Sequence, residues 1–304
     1  MATKNAKKAV SAVSAAHLSG AVSVQNIGAL LRRPVGMSLH IGLNRVDPAH
    51  YGGWSGTLAA CEFDANDMQA LAVSKGYTTT KRLTAQATAT TVLNDIRMAA
   101  SRLRPGDLFL LTYSGHGGQT PDRNGDEVGN SSDGKDETWV LFDRQVVDDE
   151  LYNLFGTFAA GVRICVLSDS CHSGTVTREM PPPIVLGEPA SRLMPTEVAD
   201  TTYKKNKKLY DEIQSLNPPR TRAAVLSTVL LISGCQDNQV SLDGARNGLF
   251  TAKLRAVWSN GAFRGTYRQF RNRIAALMPA SQTPNYFKAG AANAAFEAQN
   301  PFNI

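Results

Sequence analysis

The chain has 304 residues, of which 42% are hydrophobic and 19% charged, with a formal net charge of +6 at pH 7. That length can bury a substantial core as one large or two modest domains. No run approaches the roughly 18 to 20 apolar residues of a membrane span, so no membrane association is expected. Four scattered cysteines (Cys61, Cys165, Cys171, Cys235) form no CxxC or paired His/Cys pattern, which argues against a disulfide scaffold or a zinc site and for a reducing, cytoplasmic setting. The positive charge lies mainly in residues 1–46, which carry no Asp or Glu, and in "KKNKK" (Lys204 to Lys208). The N-terminal stretch lacks an apolar core and reads as a transit peptide, a pro-segment or a solvated basic tail. No DNA- or RNA-binding motif accompanies the charge runs, so no nucleic-acid partner is expected.

In chain order, "MSLHIGLNRV" (Met37 to Val46) predicts a first strand and Thr57 to Gly76 a helix closed by its glycine. A short strand (Tyr77 to Leu83) and a helix from about Thr90 to Leu103 follow, ended by "RPGD". "DLFLLTYS" (Asp107 to Ser114) is a continuous apolar run of the buried parallel type. After a polar loop around His116 and an acidic segment, Asp148 to Ala160 reads as a helix and "GVRICVLSDS" (Gly161 to Ser170) as a second buried strand. From Val176 to Arg222 the pattern lapses into a proline-rich and charged insertion, helical only near Leu209 to Leu216. A strand (Ala223 to Gly234), helices at Gly248 to Trp258 and Tyr267 to Met278, and a strand at Thr283 to Phe287 complete the chain.

This alternation predicts an α/β fold with a mostly parallel sheet covered on both faces, whose active site lies beyond the carboxyl ends of the strands. His116 and Cys171 both stand at such ends. A thiolate attacks a carbonyl well, and an imidazole helps to form it and later protonates the leaving amine. The backbone N–H groups of Gly117 and Cys171 are the natural donors to the oxyanion. His172 adjoins Cys171 but neighbours along a chain seldom face one another, and His17, His40 and His50 have no catalytic setting. A lone buried Cys and a lone loop His are most often structural, so the pairing needs its context.

The context is a resemblance. "TYSGHGGQ" (Thr112 to Gln119) followed by "LSDSCHSGT" (Leu167 to Thr175) resembles the caspase-like peptidases, most closely the metacaspases and their bacterial relatives, the orthocaspases. "GTLAACEFDANDMQAL", "SGCQDNQVSLDG" and "NGLFTAKL" extend it over about 37–287, the insertion excepted. It implies a caspase-hemoglobinase fold with a six-stranded, mainly parallel sheet, and His116 and Cys171 as a dyad that requires no third acid. One caspase-like domain is then divided into a basic extension (1–36), a large-subunit-like region (37–175), an insertion (176–222) and a small-subunit-like region (223–304). A catalytically idle caspase-like binding or scaffold module is the alternative from another class, and a small-molecule Cys hydrolase a third.

A pocket for Lys or Arg needs a carboxylate at its base, because an unpaired buried cation is costly. Asp169, two residues before Cys171, is placed to supply it. The resemblance adds Asp64, three residues after Cys61, and brings Cys61 and Ser114 into the lining. The expected activity is endopeptidase cleavage of peptides or proteins after Arg or Lys, with no cofactor needed for the chemistry. Asp64 capping its own helix is the competing reading. Self-cleavage in the insertion is expected at Lys205, Lys208, Arg220 or Arg222. The acidic segment Asp122 to Glu137 departs from an EF-hand loop, because Glu127 stands where a glycine is required. The resemblance implies calcium activation through Asp136, Asp148 and Asp149. A further acid expected seven residues past Cys171 is absent, Arg178 standing there with Glu179 beside it. A solvated acidic loop, with Asp148 aiding its helix N-terminus, is the competing reading. The resemblance favours a monomer over the caspase dimer.

Overall fold

The computed structural model describes residues 32–123, 134–171, 190–218, 225–236, 239 and 241–304. Residues 1–34 separate as a unit of their own, so most of the basic extension, His17 included, lies outside the described residues. Val35–Ile304 form the second unit, built on one large sheet.

The first strand, β1 (Gly36–Gly42), leads to helix α1 (Cys61–Ser74), which returns through Gly76 to β2 (Thr78–Leu83). Gly76 has φ +84°, the left-handed conformation that ends a helix without a Cβ penalty. Helix α2 (Ala89–Arg102) is capped by Thr88, whose hydroxyl accepts from the Thr91 N–H at 3.2 Å, and precedes β3 (Leu108–Ser114). Helix α3 (Asp148–Phe155) precedes β7 (Arg163–Asp169), and β8 (Thr228–Ser233), α6 (Leu249–Trp258), α7 (Tyr267–Ala275) and β9 (Asn285–Gly290) follow. The six strands stand in the order β2-β1-β3-β7-β8-β9, all parallel except the last pair. This is the mostly parallel, six-stranded α/β sheet that the sequence predicts.

The run "LFLL" in β3 shows why both faces must be covered. Phe109 and Leu111 join the core beneath α2 and α3, with Ile96 and Leu151, while Leu108 and Leu110 join the core beneath α1, α6 and α7, with Met68 and Phe270. Alternate side chains of a strand point to opposite faces, so a continuous apolar run needs helices on each side. Gly42 lets α1 settle on β1, since a Cβ there would lie 2.3 Å from the Cys61 carbonyl oxygen. In register, Gly42, Ser114 and Asp169 end three adjacent strands at one level. That shared end is the floor of the site.

Two regions differ from the expectation. The stretch after His116 is a second, antiparallel sheet of β4 (Gly117–Pro121), β5 (Lys135–Val140) and β6 (Gln145–Val147) where a loop was expected. Its glycine-rich start hides the strand, because β4 gains its partners from β5 rather than from its own side chains. The insertion holds two helices, α4 (Thr196–Lys205) and α5 (Lys207–Leu216), where only the second was anticipated. They anchor through buried Ala199, Tyr203, Tyr210 and Ile213. A short helix, α8 (Ala294–Ala298), also lies beyond the expected elements. Among the described residues no helix is long and apolar enough to cross a membrane.

His40, inside β1, is fully buried between the Thr112 and Ser38 hydroxyls, each 2.9 Å from a ring nitrogen. Burial, helped by Lys81, lowers its pKa from 6.5 to about 3. The unfolded chain therefore binds one more proton here between pH 6.5 and 3, and stability falls as pH drops through that window. Urea unfolding should show wild type losing about 2–3 kcal/mol between pH 7 and 4.5 on this account. His40→Gln should remove that part of the pH dependence while leaving the rest.

Candidate active site

Cys171 follows the end of β7 by two residues, and His116 follows the end of β3 by two. Their neighbourhoods meet through backbone. A Cβ on Gly117 would lie 1.5 Å from the Cys171 carbonyl oxygen, so only glycine allows this approach. The His116 Nε2 lies 3.0 Å from the Gly56 carbonyl oxygen, which can only accept, so Nε2 carries the proton and Nδ1 the lone pair. That Nδ1 is buried and has no hydrogen-bond partner, and the Trp54 ring packs over the imidazole at 4.7 Å. Burial lowers the His116 pKa to about 4.

The Cys171 sulfur accepts from the Ser241 N–H at 2.7 Å, and its side chain is fully covered. Burial, with Cys235 alongside, holds the thiol well above its ordinary value. The two groups thus rest as a neutral thiol and a neutral imidazole. Both expected oxyanion donors point at one acceptor: the N–H groups of Gly117 and Cys171 lie 2.9 and 3.5 Å from the carbonyl oxygen of Arg192.

Arg192 also fills the pocket beside them. Its side chain is 0% exposed, with Nη2 2.8 Å from Asp64 Oδ2 and 2.8 Å from Asp243 Oδ1, and Nη1 3.1 Å from Asp169 Oδ1. Nη1 also donates to the Ser114 hydroxyl at 2.9 Å and the Asp169 carbonyl at 3.0 Å, and Nε donates to Asp243 at 3.3 Å. Burial opposes charge on this guanidinium, yet Asp169, Cys61, Asp64 and Asp243 more than reverse it and keep it protonated. Burial raises Asp64 to about 6 against the pull of Arg192, which leaves it ionised at neutral pH.

The carboxylates are themselves held. Asp64 accepts from Ser114, Asn247 and the Gly248 N–H, so it reaches across to the C-terminal part rather than capping its helix. Asp169 accepts from Ser241 and from the Thr251 N–H and hydroxyl. Asp243 accepts from the N–H groups of Ala59 and Ala60. Cys61 stands beside Ser114 with its thiol pushed up to about 12 by burial. All four pocket residues expected from the sequence therefore come together, and two that sequence reasoning missed, Asp243 and Arg192, complete the arrangement. The motif "SLDG" contained the first signal, but nothing local marks its Asp as facing a pocket.

Other expected residues lie apart. Asp136 sits in β5 opposite Thr120, and Asp148 and Asp149 open α3, where the Asp148 carboxylate accepts from the Asp149 N–H at 3.0 Å. Among the described residues no group of three or more His, Cys, Asp and Glu side chains that could hold a metal ion is found. Residues 126, 127, 178 and 179 lie outside the described residues. Lys205 ends α4 and Lys208 lies in α5. The bond after Lys205 thus lies at the junction of the two helices and the bond after Lys208 within the second. Arg220 and Arg222 lie outside the described residues.

Comparison with known proteins gives the family. A family profile described as a caspase domain matches residues 46–296. Metacaspase-1 of Candida albicans is 29% identical over 257 residues, which is 71% of this chain and 55% of that protein. Metacaspase-1 of Schizosaccharomyces pombe is 29% identical over 197 residues, 54% of this chain and 44% of that protein. The chain thus spans about half the length of the curated relatives it matches. A crystal structure of a Geobacter sulfurreducens protein superposes with a TM-score of 0.81 at 50% identity, covering 89% of this chain and 99% of that one. Caspase-1 from Spodoptera frugiperda, at 11% identity, TM-score 0.50 and coverage of 84% and 86%, shares the fold.

Gly248 closes the pocket floor, and a Cβ there would lie 2.5 to 2.6 Å from the three terminal guanidinium atoms of Arg192. Gly248→Ala should displace Arg192 and destabilise the chain by about 1–3 kcal/mol, as overpacking does. Urea unfolding of the two proteins at pH 7.5 checks this.

Proposed function

Because the chain belongs to the caspase-domain family of peptidases, we propose that it is a cysteine endopeptidase that cleaves after arginine, and after lysine less well. The observation that carries this reading is a guanidinium held by three carboxylates beside the backbone N–H groups of Gly117 and Cys171. Such a pocket selects a cation, and an acidic side chain would add a like charge to three others.

In the proposed mechanism His116 Nδ1 takes the thiol proton as Cys171 Sγ attacks the carbonyl carbon. The resulting oxyanion is held by the N–H groups of Gly117 and Cys171. The imidazolium then protonates the departing amine, and water hydrolyses the thioester. The Nε2–H bond to the Gly56 carbonyl supports this role, since it fixes the ring and leaves Nδ1 free to accept. The alternative, a catalytically idle binding module, requires that no turnover depend on Cys171.

Arginine is favoured over lysine because Arg192 spreads Nε, Nη1 and Nη2 over Asp243, Ser114 and Asp64, whereas an ammonium offers all its donors from one nitrogen. Peptide reporters ending in Arg should have kcat/KM about tenfold or more above those ending in Lys, with those ending in Asp inert. Asp169→Ala and Asp243→Asn should each lower kcat/KM for Arg reporters by about a hundredfold or more, since each leaves the bound charge short of a partner. Unchanged preference in both variants, or turnover that survives Cys171→Ala, would refute the assignment.

Calcium stimulation rests on the resemblance alone. Turnover of the Arg reporter with calcium against EGTA is the check, and equal rates would remove it. A cytoplasmic, monomeric enzyme acting on peptides or proteins completes the proposal.

A further inference from the structure

The orientation of the His116 ring depends on one hydrogen bond. Its Nε2–H donates to the Gly56 carbonyl at 3.0 Å, and Nδ1 has no partner. A neutral imidazole carries its proton on either nitrogen, and the bond that the protonated nitrogen makes decides which. Water that reached the Gly56 carbonyl would compete for that bond and let the proton move to Nδ1. In that form the ring could no longer take the thiol proton through Nδ1.

The carbonyl is presented by a turn that needs glycine. Gly52, Gly53 and Gly56 have φ of +65°, +97° and +52°, all in the left-handed region. A Cβ on Gly56 would lie 2.7 Å from Trp54 Cη2 and 3.0 Å from Cζ2 and Cζ3, so the six-membered part of the indole lies against the Gly56 backbone. The same side chain packs on the imidazole, with ring centroids 4.7 Å apart and planes at 58°. Trp54 therefore touches both the acceptor of the bond and the ring that carries its donor.

The turn is braced from behind. The Val46 N–H donates to the Ser55 carbonyl at 2.9 Å, the Trp54 N–H to the Tyr51 carbonyl at 3.1 Å and the Asp47 N–H to the Phe142 carbonyl at 2.8 Å. Tyr51 is fully buried, its hydroxyl donating to the Leu141 carbonyl at 2.7 Å, and Trp54 packs on the apolar cluster that Tyr51 forms with Val46 and Val140. The indole is thus carried on a fixed part of the fold.

We infer that Trp54 is a positioning residue: it keeps water from the bond between His116 Nε2 and the Gly56 carbonyl, and so holds the imidazole as the tautomer whose Nδ1 accepts the thiol proton. The inference rests on the proposed endopeptidase reading with His116 as base. A hydrogen bond shielded from water is stronger than an exposed one, because the local dielectric is low. The charged groups that face His116 do not set its tautomer. Arg192 disfavours the imidazolium and Asp243 favours it, and neither is bonded to a ring nitrogen.

The test combines NMR of full-length protein carrying isotope-labelled histidine with kinetics on an arginyl peptide reporter. In wild type at pH 7.5 the His116 ring signals, recognised by their loss in His116→Gln, should be those of the Nε2–H tautomer. In Trp54→Leu they should move towards a mixture of tautomers, and the Nε2 proton should exchange with water about tenfold or more faster. Trp54→Leu should also lose about tenfold or more in kcat while KM changes less than about twofold, since the arginine pocket is untouched. The acid limb of its kcat/KM profile should rise from about pH 4 towards 6.5, because water then reaches the ring. Trp54→Phe, which keeps a ring over the bond, should recover the tautomer and most of the kcat. Trp54→Met takes the place of Trp54→Leu if the latter does not fold. A folded variant with the tautomer, proton exchange and kcat of wild type overturns the inference and leaves the peptidase reading intact. A loss confined to KM, or one that Trp54→Phe does not recover, also overturns it. Absence of Cys171-dependent turnover in wild type overturns the peptidase reading, and the NMR comparison still decides whether Trp54 holds the tautomer.

Discussion

Three carboxylates in one buried pocket cannot all remain ionised without a cation, and that constraint organises the molecule. Like charges a few ångströms apart in a medium of low polarity either protonate or recruit an opposite charge. Here Asp64, Asp169 and Asp243 converge on one guanidinium, and neutral donors from Ser114, Asn247, Ser241 and Thr251 hold the remaining lone pairs. The pocket is therefore a fixed field that holds the planar Arg192 guanidinium through several donors. Its cost is carried by the fold, since each acid is anchored in or beside a regular element before any occupant arrives.

The sheet makes that anchoring possible. Ser114 and Asp169 finish neighbouring parallel strands in register, which sets their side chains at one height. Helix α1 lies against β1 closely enough to add Asp64, because Gly42 yields the space. The N-terminus of α6 contributes the Gly248 and Thr251 N–H groups, which face Asp64 and Asp169 with the favourable end of a helix dipole. The antiparallel sheet fixes the other wall: the Val140 N–H donates to the His116 carbonyl at 3.0 Å, and the Tyr113 hydroxyl to the same oxygen at 2.6 Å. The residue that carries the imidazole is thus clamped through its backbone, and the ring through Gly56.

Much of this was legible in the sequence, and the pattern of success has a physical basis. Buried parallel strands announce themselves as unbroken apolar runs, so β3 and β7, and with them His116, Cys171, Ser114 and Asp169, could be placed on one edge. Asp64, three residues after Cys61, was reachable only through the family resemblance. Asp243 was not, because its partners Arg192, Ala60 and Ala59 lie 51, 183 and 184 residues away in the chain and its own neighbours form only an isolated bridge. Arg192 stands in a segment whose prolines and lack of period read as a connector, and an extended chain that borrows its hydrogen bonds from elsewhere leaves no periodicity of its own. Strand β4 escaped for the same reason. Helix α4 was obscured by its charged face, with Tyr203 the one buried aromatic in it, whereas α5 was legible near Leu209 to Leu216.

The division of the pocket along the chain has a consequence for the timing of biosynthesis. Asp64, His116, Asp169 and Cys171 all precede the last hundred or so residues, whereas Ser241, Asp243, Asn247, Gly248 and Thr251 come from near the end. A nascent chain that has emerged through Cys171 holds His116 and Cys171 but only two of the three acids and, of the backbone that pairs with residues 190–194 on either side, Gly117 without Ser241 or Asp243. Synthesis proceeds from the N-terminus, with domains folding as units. The emerging thiol is thus kept from chemistry by incompleteness, and the ribosome releases a competent site only once the final strands have docked.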